Sequence, residues 1–436
     1  MRPTAKSLFR YSSTLSGLSK PDRTALFERT KQRDSEVRDR TANILRRVRA
    51  DGDRALFDMA RQYDGVVLGS LETPAEVRQL ALASIDPCVR SALERAARNI
   101  AAVHSTSPPQ TVEVETEPGV IVGRRPDPLQ SVGIYAPGGR AFYASSVLMA
   151  AVPARAAGVS EIILCSPPRA DGYPAPVVLA ACEIAGVDRV FAVGGAGAIA
   201  AMAYGTDIVP RVDKIVGPGN AYVAEAKLLV SREVSIDSPA GPTELLIICD
   251  DSADSETIAR EVVAQAEHDV DACIVVIPIG RDALDTILGA IAREIADSPR
   301  AEVICAALSQ NGAILSAASV SDAVGFANQF APEHLLLATR DAETLLPNIR
   351  NVGSVFIGEQ SSVAFGDYIT GGNHVLPTGG LARSYSGLGP LDFVRWTYYQ
   401  KVSRAAARRL SSDAAILADA EGLPGHARAA LHWSAP

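Results

Sequence analysis

The sequence predicts an α/β protein: two parallel-sheet units in succession, between a helical N-terminal region and a helical C-terminal tail. Three observations carry this. From Val132 onward, short apolar runs alternate with stretches of helical length, the rhythm of strand–helix–strand units. That rhythm runs through twice. On either side of it the apolar spacing is helical.

Val37, Ile44, Leu45 and Val48 fall on one stripe of a helix that Gly52 stops. A second helix over 55–63 ends near Gly65, and helical spacing continues over 74–102. The first sheet unit has predicted strands at 132–135, 161–165, 189–193 and 214–216, with helices at 145–157, 177–185, 198–204 and 221–230. The second has strands at 244–249, 273–277, 334–338 and 354–357, with helices at 255–268, 282–296 and 322–329. A duplication would explain the pair, although no close sequence repeat links them. The last sixty residues read as helix; too short for a free domain, they predict packing against something else, such as a partner subunit.

With 436 residues the chain has room for two or three domains, and 47% hydrophobic against 21% charged residues marks it as globular rather than disordered. The net charge of −8 comes without long blocks of either sign, so neither nucleic acid nor a charged membrane surface is an expected partner. No apolar stretch approaches the roughly 20 residues that span a bilayer. The cysteines at 88, 165, 182, 249, 273 and 305 are scattered, mostly in apolar runs, which reads as reduced core thiols in a cytoplasmic protein. The first 21 residues contain no acid. They resemble a weak organelle transit peptide, but read better as an N-terminal arm.

Histidines occur only at 104, 268, 334, 374, 426 and 432, so each can be weighed. In FAPEHL (330–335) Glu333 and His334 are consecutive at a strand entrance. Successive side chains of an extended chain point to opposite faces, which suits different tasks around one reacting carbon. His268 closes QAEH, three residues after Gln265, so on a helix both share a face and can reach a metal. A histidine stabilised by the helix dipole explains the same pattern. FGDYITGGNHVLPTGG (365–380) follows a predicted strand, and loops after parallel strands bring binding groups to the carboxyl edge of a sheet. There Asp367 suits a metal and His374 a substrate; a glycine-rich connector with Asp367 as turn former fits equally. EGLPGH (421–426) offers Glu421 and His426, or a capped helix end with solvated side chains. Gln265, His268, Asp367 and His426 together supply an amide oxygen, two imidazoles and a carboxylate, a set that suits Zn²⁺ and equally non-haem Fe(II).

Three glycine-bearing loops end strands of the first unit: YAPGGRA (135–141), VGGAGAIAA and VGPGN (216–220). Gly195, Gly197 and Ala200 fit the loose G-x-G-x-x-G/A pattern, weak by itself. Three such loops at the carboxyl ends of parallel strands favour a nucleotide crevice, although no acid stands in place for the ribose hydroxyls.

GIYAPGG, VDKIVGPGNAYVAEAK, SPAGPTELLI, QAEH, FAPEHL, GDYITGGNHVLPTGG and EGLPGH occur in this order across nearly the whole chain. Together they resemble the histidinol dehydrogenase family. The resemblance implies a homodimeric, zinc-dependent enzyme of histidine biosynthesis that oxidises L-histidinol to L-histidine, through the aldehyde, with two NAD⁺. It implies two incomplete Rossmann-like domains: an arm (1–30), a first α/β domain (31–125 and 238–378) with the metal and catalytic residues, a second (126–237) with the NAD loops, and a tail (379–436) that completes the partner's site. Position by position, Gln265, His268, Asp367 and His426 match the zinc ligands. Those four, with Thr243, His334, His374 and Glu421, also match substrate contacts, Glu421 and His426 coming from the other subunit. Glu333 and His334 match the catalytic pair, and Tyr135, Gly197 and Asn220 the NAD contacts. At Gly197 the family often carries glutamine, so a side-chain contact to NAD⁺ is missing; at Thr243 the hydroxyl of the more usual serine is kept. The nearest rival is a paralogue oxidising another small alcohol, such as a sulfonated diol. Glu421 favours a substrate with an ammonium group, because it would repel an anion.

Overall fold

The computed structural model describes residues 8–29, 35–106, 108–138, 142–239, 241–280 and 282–434. The twice-repeated rhythm becomes two all-parallel sheets. One has five strands in the spatial order Arg189–Ala192, Glu161–Ser166, Ser131–Tyr135, Lys214–Val216, Ser235–Ile236. The other has six, in the order Tyr11–Thr14, Ala313–Ser316, Cys273–Pro278, Glu244–Cys249, His334–Ala338, Ser354–Ile357. Setting the Tyr11–Thr14 strand aside, the two orders are the same. The first strand in the chain lies at the centre, its two successors lie on one side and the last two on the other. In such a sheet the chain switches sides beside the central strand, opening a crevice at the carboxyl ends. Leu245, Leu246, Ile247 and Ile248 are wholly buried, as a central parallel strand covered on both faces requires.

Residues 8–29 are drawn into the six-stranded sheet, residues 1–7 of the expected arm lying outside the described residues: Tyr11–Thr14 pairs with Ala313–Ser316, and Leu26 joins the core beneath. The helices Ser35–Asp51 and Asp53–Met59 and the helix Pro87–His104 share cores with the five-stranded sheet instead. Leu45, Val48, Leu56 and Met59 belong with Phe191 and Met202, and Ile100 with Val147. This stretch therefore shares its buried cores with 126–237, and it also meets 238–378 where Asn99 donates to the Ile369 carbonyl (2.6 Å).

Several elements differ from the sequence reading, the strands Tyr11–Thr14, Val112–Glu117, Val120–Pro128 and Ser235–Ile236 among them. The helix Ala301–Asn311 and the strand Ala313–Ser316 were not foreseen. The tail does not begin as helix: Val394–Val402 is a strand, antiparallel to Val120–Pro128, which in turn pairs with Val112–Glu117. VRWTYYQKV is rich in β-branched and aromatic residues, and the Ala- and Arg-rich helix Arg404–Ala420 that follows had masked it. No helix among the described residues is long and apolar enough to cross a membrane.

Candidate active site

Helix Val320–Phe330 ends at Ala331, whose φ of 54° is left-handed, and Pro332 turns the chain into the strand His334–Ala338. Glu333 and His334 are both buried, and both reach the peptide of Glu244 on the neighbouring strand. The Glu333 Oε2 accepts from the Glu244 N–H (2.9 Å) and from the Thr243 hydroxyl (3.0 Å). The Nδ1 of His334 lies 3.0 Å from the Glu244 carbonyl oxygen. A carbonyl only accepts, so Nδ1 carries a proton, and in the neutral imidazole the lone pair is on Nε2. That Nε2 is buried without a hydrogen-bond partner, 3.6 Å from Asp367 Oδ1. Gly353 makes the close packing feasible: a Cβ there would sit 2.5 Å from the Glu333 carbonyl oxygen.

Helix Ser255–Ala266 delivers Gln265, with His268 just beyond its end. Gln265 bridges the cluster, accepting from Thr243 (3.2 Å) and donating to Asp367 Oδ2 (3.2 Å). The loop 365–380 had been expected at the carboxyl edge of the sheet. Instead the short helix Val363–Tyr368 carries the chain back, so Asp367 meets His334 at the amino edge. His374 is held through Nδ1 by the Asp367 carbonyl (2.8 Å), and its Nε2 lies 3.1 Å from Ser146 Oγ. Asn373 donates to the Met149 carbonyl (2.7 Å). These bonds tie the loop to the first turns of helix Ala144–Ala156, which rises from the carboxyl edge of the five-stranded sheet. A cavity of about 400 Å³ lies here, lined by His334, Phe365, Asp367, Thr370, Asn373 and His374.

Burial pushes the Glu333 carboxyl up to about 7; the adjacent imidazole and the Glu244 N–H and Thr243 hydroxyl oppose the rise, and the Glu244 charge adds to it. Desolvation lowers the His374 and His268 pKa values, with Asp367 pulling both the other way. His268 stands open at the surface, so water weakens its shift.

Gln265, His268 and Asp367 form an N and O donor set that suits Zn²⁺, and the partnerless Nε2 of His334 looks onto the same space. Among the described residues no three His, Cys, Asp or Glu side chains are grouped to hold a metal, so the donor set of one chain is short. Glu421 and His426 are not brought to the cavity. Glu421 caps the end of Arg404–Ala420, His426 lies on Pro424–Leu431, and both are exposed.

The glycine loops of the five-stranded sheet gather at its carboxyl edge, with residues 139–141 of the first outside the described residues. The buried Tyr135 hydroxyl accepts from the Gly195 N–H (3.0 Å), and burial raises its pKa to about 12. Asn220 caps the helix Ala221–Val230. Gly217, at φ 114°, is clamped at both ends: its N–H donates to Asp237 (2.8 Å) and its carbonyl accepts from Lys227 (3.0 Å). Gly197 faces inward, where a Cβ would meet the Met59 sulfur at 3.0 Å. Asp64, raised to about 6 by desolvation, lies close enough to Tyr135 to raise the phenol's pKa further. Sequence reasoning passed over Asp64, Ser146 and Glu244. Of these only Glu244 left a signal, a charge opening an otherwise apolar strand.

A family model described as histidinol dehydrogenase matches residues 27–432. The chain belongs to that family. Histidinol dehydrogenase of Methanosarcina mazei is 44% identical over 394 residues, covering 90% of this chain and 91% of the relative. That of Nitrosomonas europaea is 45% identical over 400 residues, 91% and 92% of the two chains. The crystal structure of histidinol dehydrogenase from Elizabethkingia anophelis superposes with a TM-score of 0.93 at 32% identity, over 98% of each chain. The histidinol dehydrogenase family thus contains this fold from end to end.

Glu333 also sets a pH dependence. Its folded-state pKa lies above the ordinary glutamate value of 4.5, so the cost of ionising it is absent below that pH, grows between 4.5 and about 7, and is complete above. The shift corresponds to about 3 kcal/mol. In metal-free protein Glu333→Gln is expected to melt close to wild type near pH 4.5 and several degrees higher at about pH 8, read by calorimetry.

Proposed function

We propose that this chain oxidises L-histidinol to L-histidine by way of L-histidinal, giving up two hydrides in turn to NAD⁺. The observation that supports it is His334: an imidazole whose Nδ1 is committed to the Glu244 carbonyl and whose free Nε2 faces the cavity beside Asp367. The tautomer so fixed is a neutral base. His334 Nε2 takes the alcohol proton as hydride departs, releases it to water, and takes the hydroxyl proton of the aldehyde hydrate as the second hydride departs. Glu333, with its carboxyl poised near 7 and held by Thr243, deprotonates the water that adds to the aldehyde. Gln265, His268 and Asp367 would hold Zn²⁺, with His426 of a second copy completing the set. When bound, the metal would fix the substrate's imidazole and amine. His374 and, from the second copy, Glu421 are assigned to the substrate.

The loops that carry Tyr135 and Asn220 would hold the dinucleotide, its pyrophosphate favoured by helix N-termini at that edge. Position 197 contributes no side chain to it. Domain roles follow: 238–378 for metal and catalysis, 126–237 for cofactor, and 379–436 reaching into a partner of a homodimer. The tail supports this, because Ile416, Leu417, Leu423 and Trp433 are exposed around Glu421 and His426. All six cysteines are unpaired and four are buried, which supports a reducing compartment such as the cytoplasm.

Purified protein with L-histidinol and NAD⁺ should form two NADH per substrate, and chelation should abolish turnover until Zn²⁺ is restored. One NADH per substrate would overturn the four-electron reading. His334→Asn should lower kcat by about 10²–10⁴ for both oxidations. Glu333→Gln should impair oxidation of added aldehyde far more than that of the alcohol, measured separately by stopped flow.

A further inference from the structure

We propose that Arg29 and Glu244 are positioning residues for the catalytic pair, a buried ion pair that holds the turn before Glu333 and the loop after His374 in one frame. This rests on the roles given to Glu333 and His334 above. Arg29 follows helix Lys20–Phe27, in the stretch that the sequence presented as an arm. Its guanidinium donates to both oxygens of Glu244, through Nε at 2.7 Å and Nη2 at 2.8 Å. The side chains are 7% and 3% exposed. The same Nη2 donates to the carbonyls of Phe330 (3.0 Å) and Ala331 (3.2 Å), and the guanidinium lies 3.6 Å from the Phe330 ring centre.

Glu244 has two more donors. Its Oε1 accepts from the Gly379 N–H (2.6 Å) and its Oε2 from the Glu333 N–H (3.3 Å). The pair thus joins four backbone groups: two carbonyls at the left-handed turn, the amide of Glu333 and the amide of Gly379. The peptide of Glu244 meanwhile holds the working ends of Glu333 and His334.

A well-packed apolar pair can match a buried ion pair in stability, so stability alone does not account for these charges. What apolar side chains cannot do is satisfy two carbonyls and two N–H groups at a fixed spacing. Neither residue lines the cavity. Both therefore act through Glu333 and His334, and the cofactor loops on the other sheet are untouched by them.

The test uses the zinc-loaded enzyme. Arg29→Ala should lower kcat for L-histidinol by about 100-fold, the scale of a small misplacement of reacting groups. KM for NAD⁺ and zinc content should stay within twofold of wild type. Guanidinium chloride at a low, non-denaturing concentration should restore part of kcat by refilling the space, and Arg29→Lys should be intermediate. Should Arg29→Ala fail to fold, Glu244→Gln, which keeps the shape and one acceptor oxygen, should show the same loss in kcat alone. Folded variants with wild-type kcat, or a loss of kcat matched by a rise in KM for NAD⁺ and unmoved by guanidinium, would overturn the proposal. A wild-type enzyme inert toward L-histidinol would instead remove the functional reading, and this inference with it.

Discussion

A carboxylate at the first position of a buried β-strand has to be neutralised, and the way Glu244 is neutralised organises much of this molecule. Removing an ion from water costs several kcal/mol even after relaxation. Here the cost is offset by a bidentate arginine and two backbone N–H groups. Because the arginine comes from residue 29, the N-terminal segment is bound to the sheet that bears the catalytic pair. Its strand Tyr11–Thr14 then closes the far edge of that sheet. Because the amides come from residues 333 and 379, the two loops that frame the site are drawn to the same strand end. One desolvated charge thus couples segments more than 300 residues apart in the sequence.

The two sheets share a strand order but present opposite ends to the site, and the electrostatics of helix termini explain why that is useful. At the amino edge of the six-stranded sheet, helices arrive by their C-termini, where carbonyls leave partial negative charge. Helices Ser255–Ala266 and Val320–Phe330 end there, next to Gln265, His268 and Glu333. That edge favours cations, such as a metal ion and a substrate ammonium. At the carboxyl edge of the five-stranded sheet, helices Ala144–Ala156, Gly195–Tyr204 and Ala221–Val230 begin, and their N–H groups favour phosphate. The bonds from His374 and Asn373 to helix Ala144–Ala156 join the two edges. A cationic substrate and an anionic cofactor can thus be held side by side by backbone polarity.

What the sequence disclosed follows the same division. Wholly buried strands such as Glu244–Cys249 and His334–Ala338 were legible, because an apolar run bounded by turns has few other readings. The Tyr11–Thr14 strand was not: YSST is polar and pairs on one side only, so its structure comes from the partner strand. Val394–Val402 was lost for a similar reason, since half of it faces water and a strong helix follows. In the site, histidines and carboxylates drew attention by residue type. Arg29 could not, because an arginine's meaning lies in which buried acid it meets. The edge at which Asp367 lies was also hidden, since a six-residue helix reversed the direction of the loop.

The shortfall in the metal set has a physical counterpart in the tail. A single chain brings Gln265 to Asp367 at the cavity wall, with His268 just beyond the end of the same helix, while its remaining candidate ligand stands on an exposed helix amid uncovered apolar side chains. Helices Arg404–Ala420 and Pro424–Leu431 pack on each other, yet leave Ile416, Leu417 and Trp433 in water. Burying those residues against a second copy would stabilise the pair by roughly 25 cal/mol for each Å² covered. The same docking, on the proposed reading, would bring the imidazole of His426 and the carboxylate of Glu421 to each cavity. On the proposed reading the hydrophobic face and the missing ligand are then one feature: association and metal binding stabilise each other, because each is completed by the other.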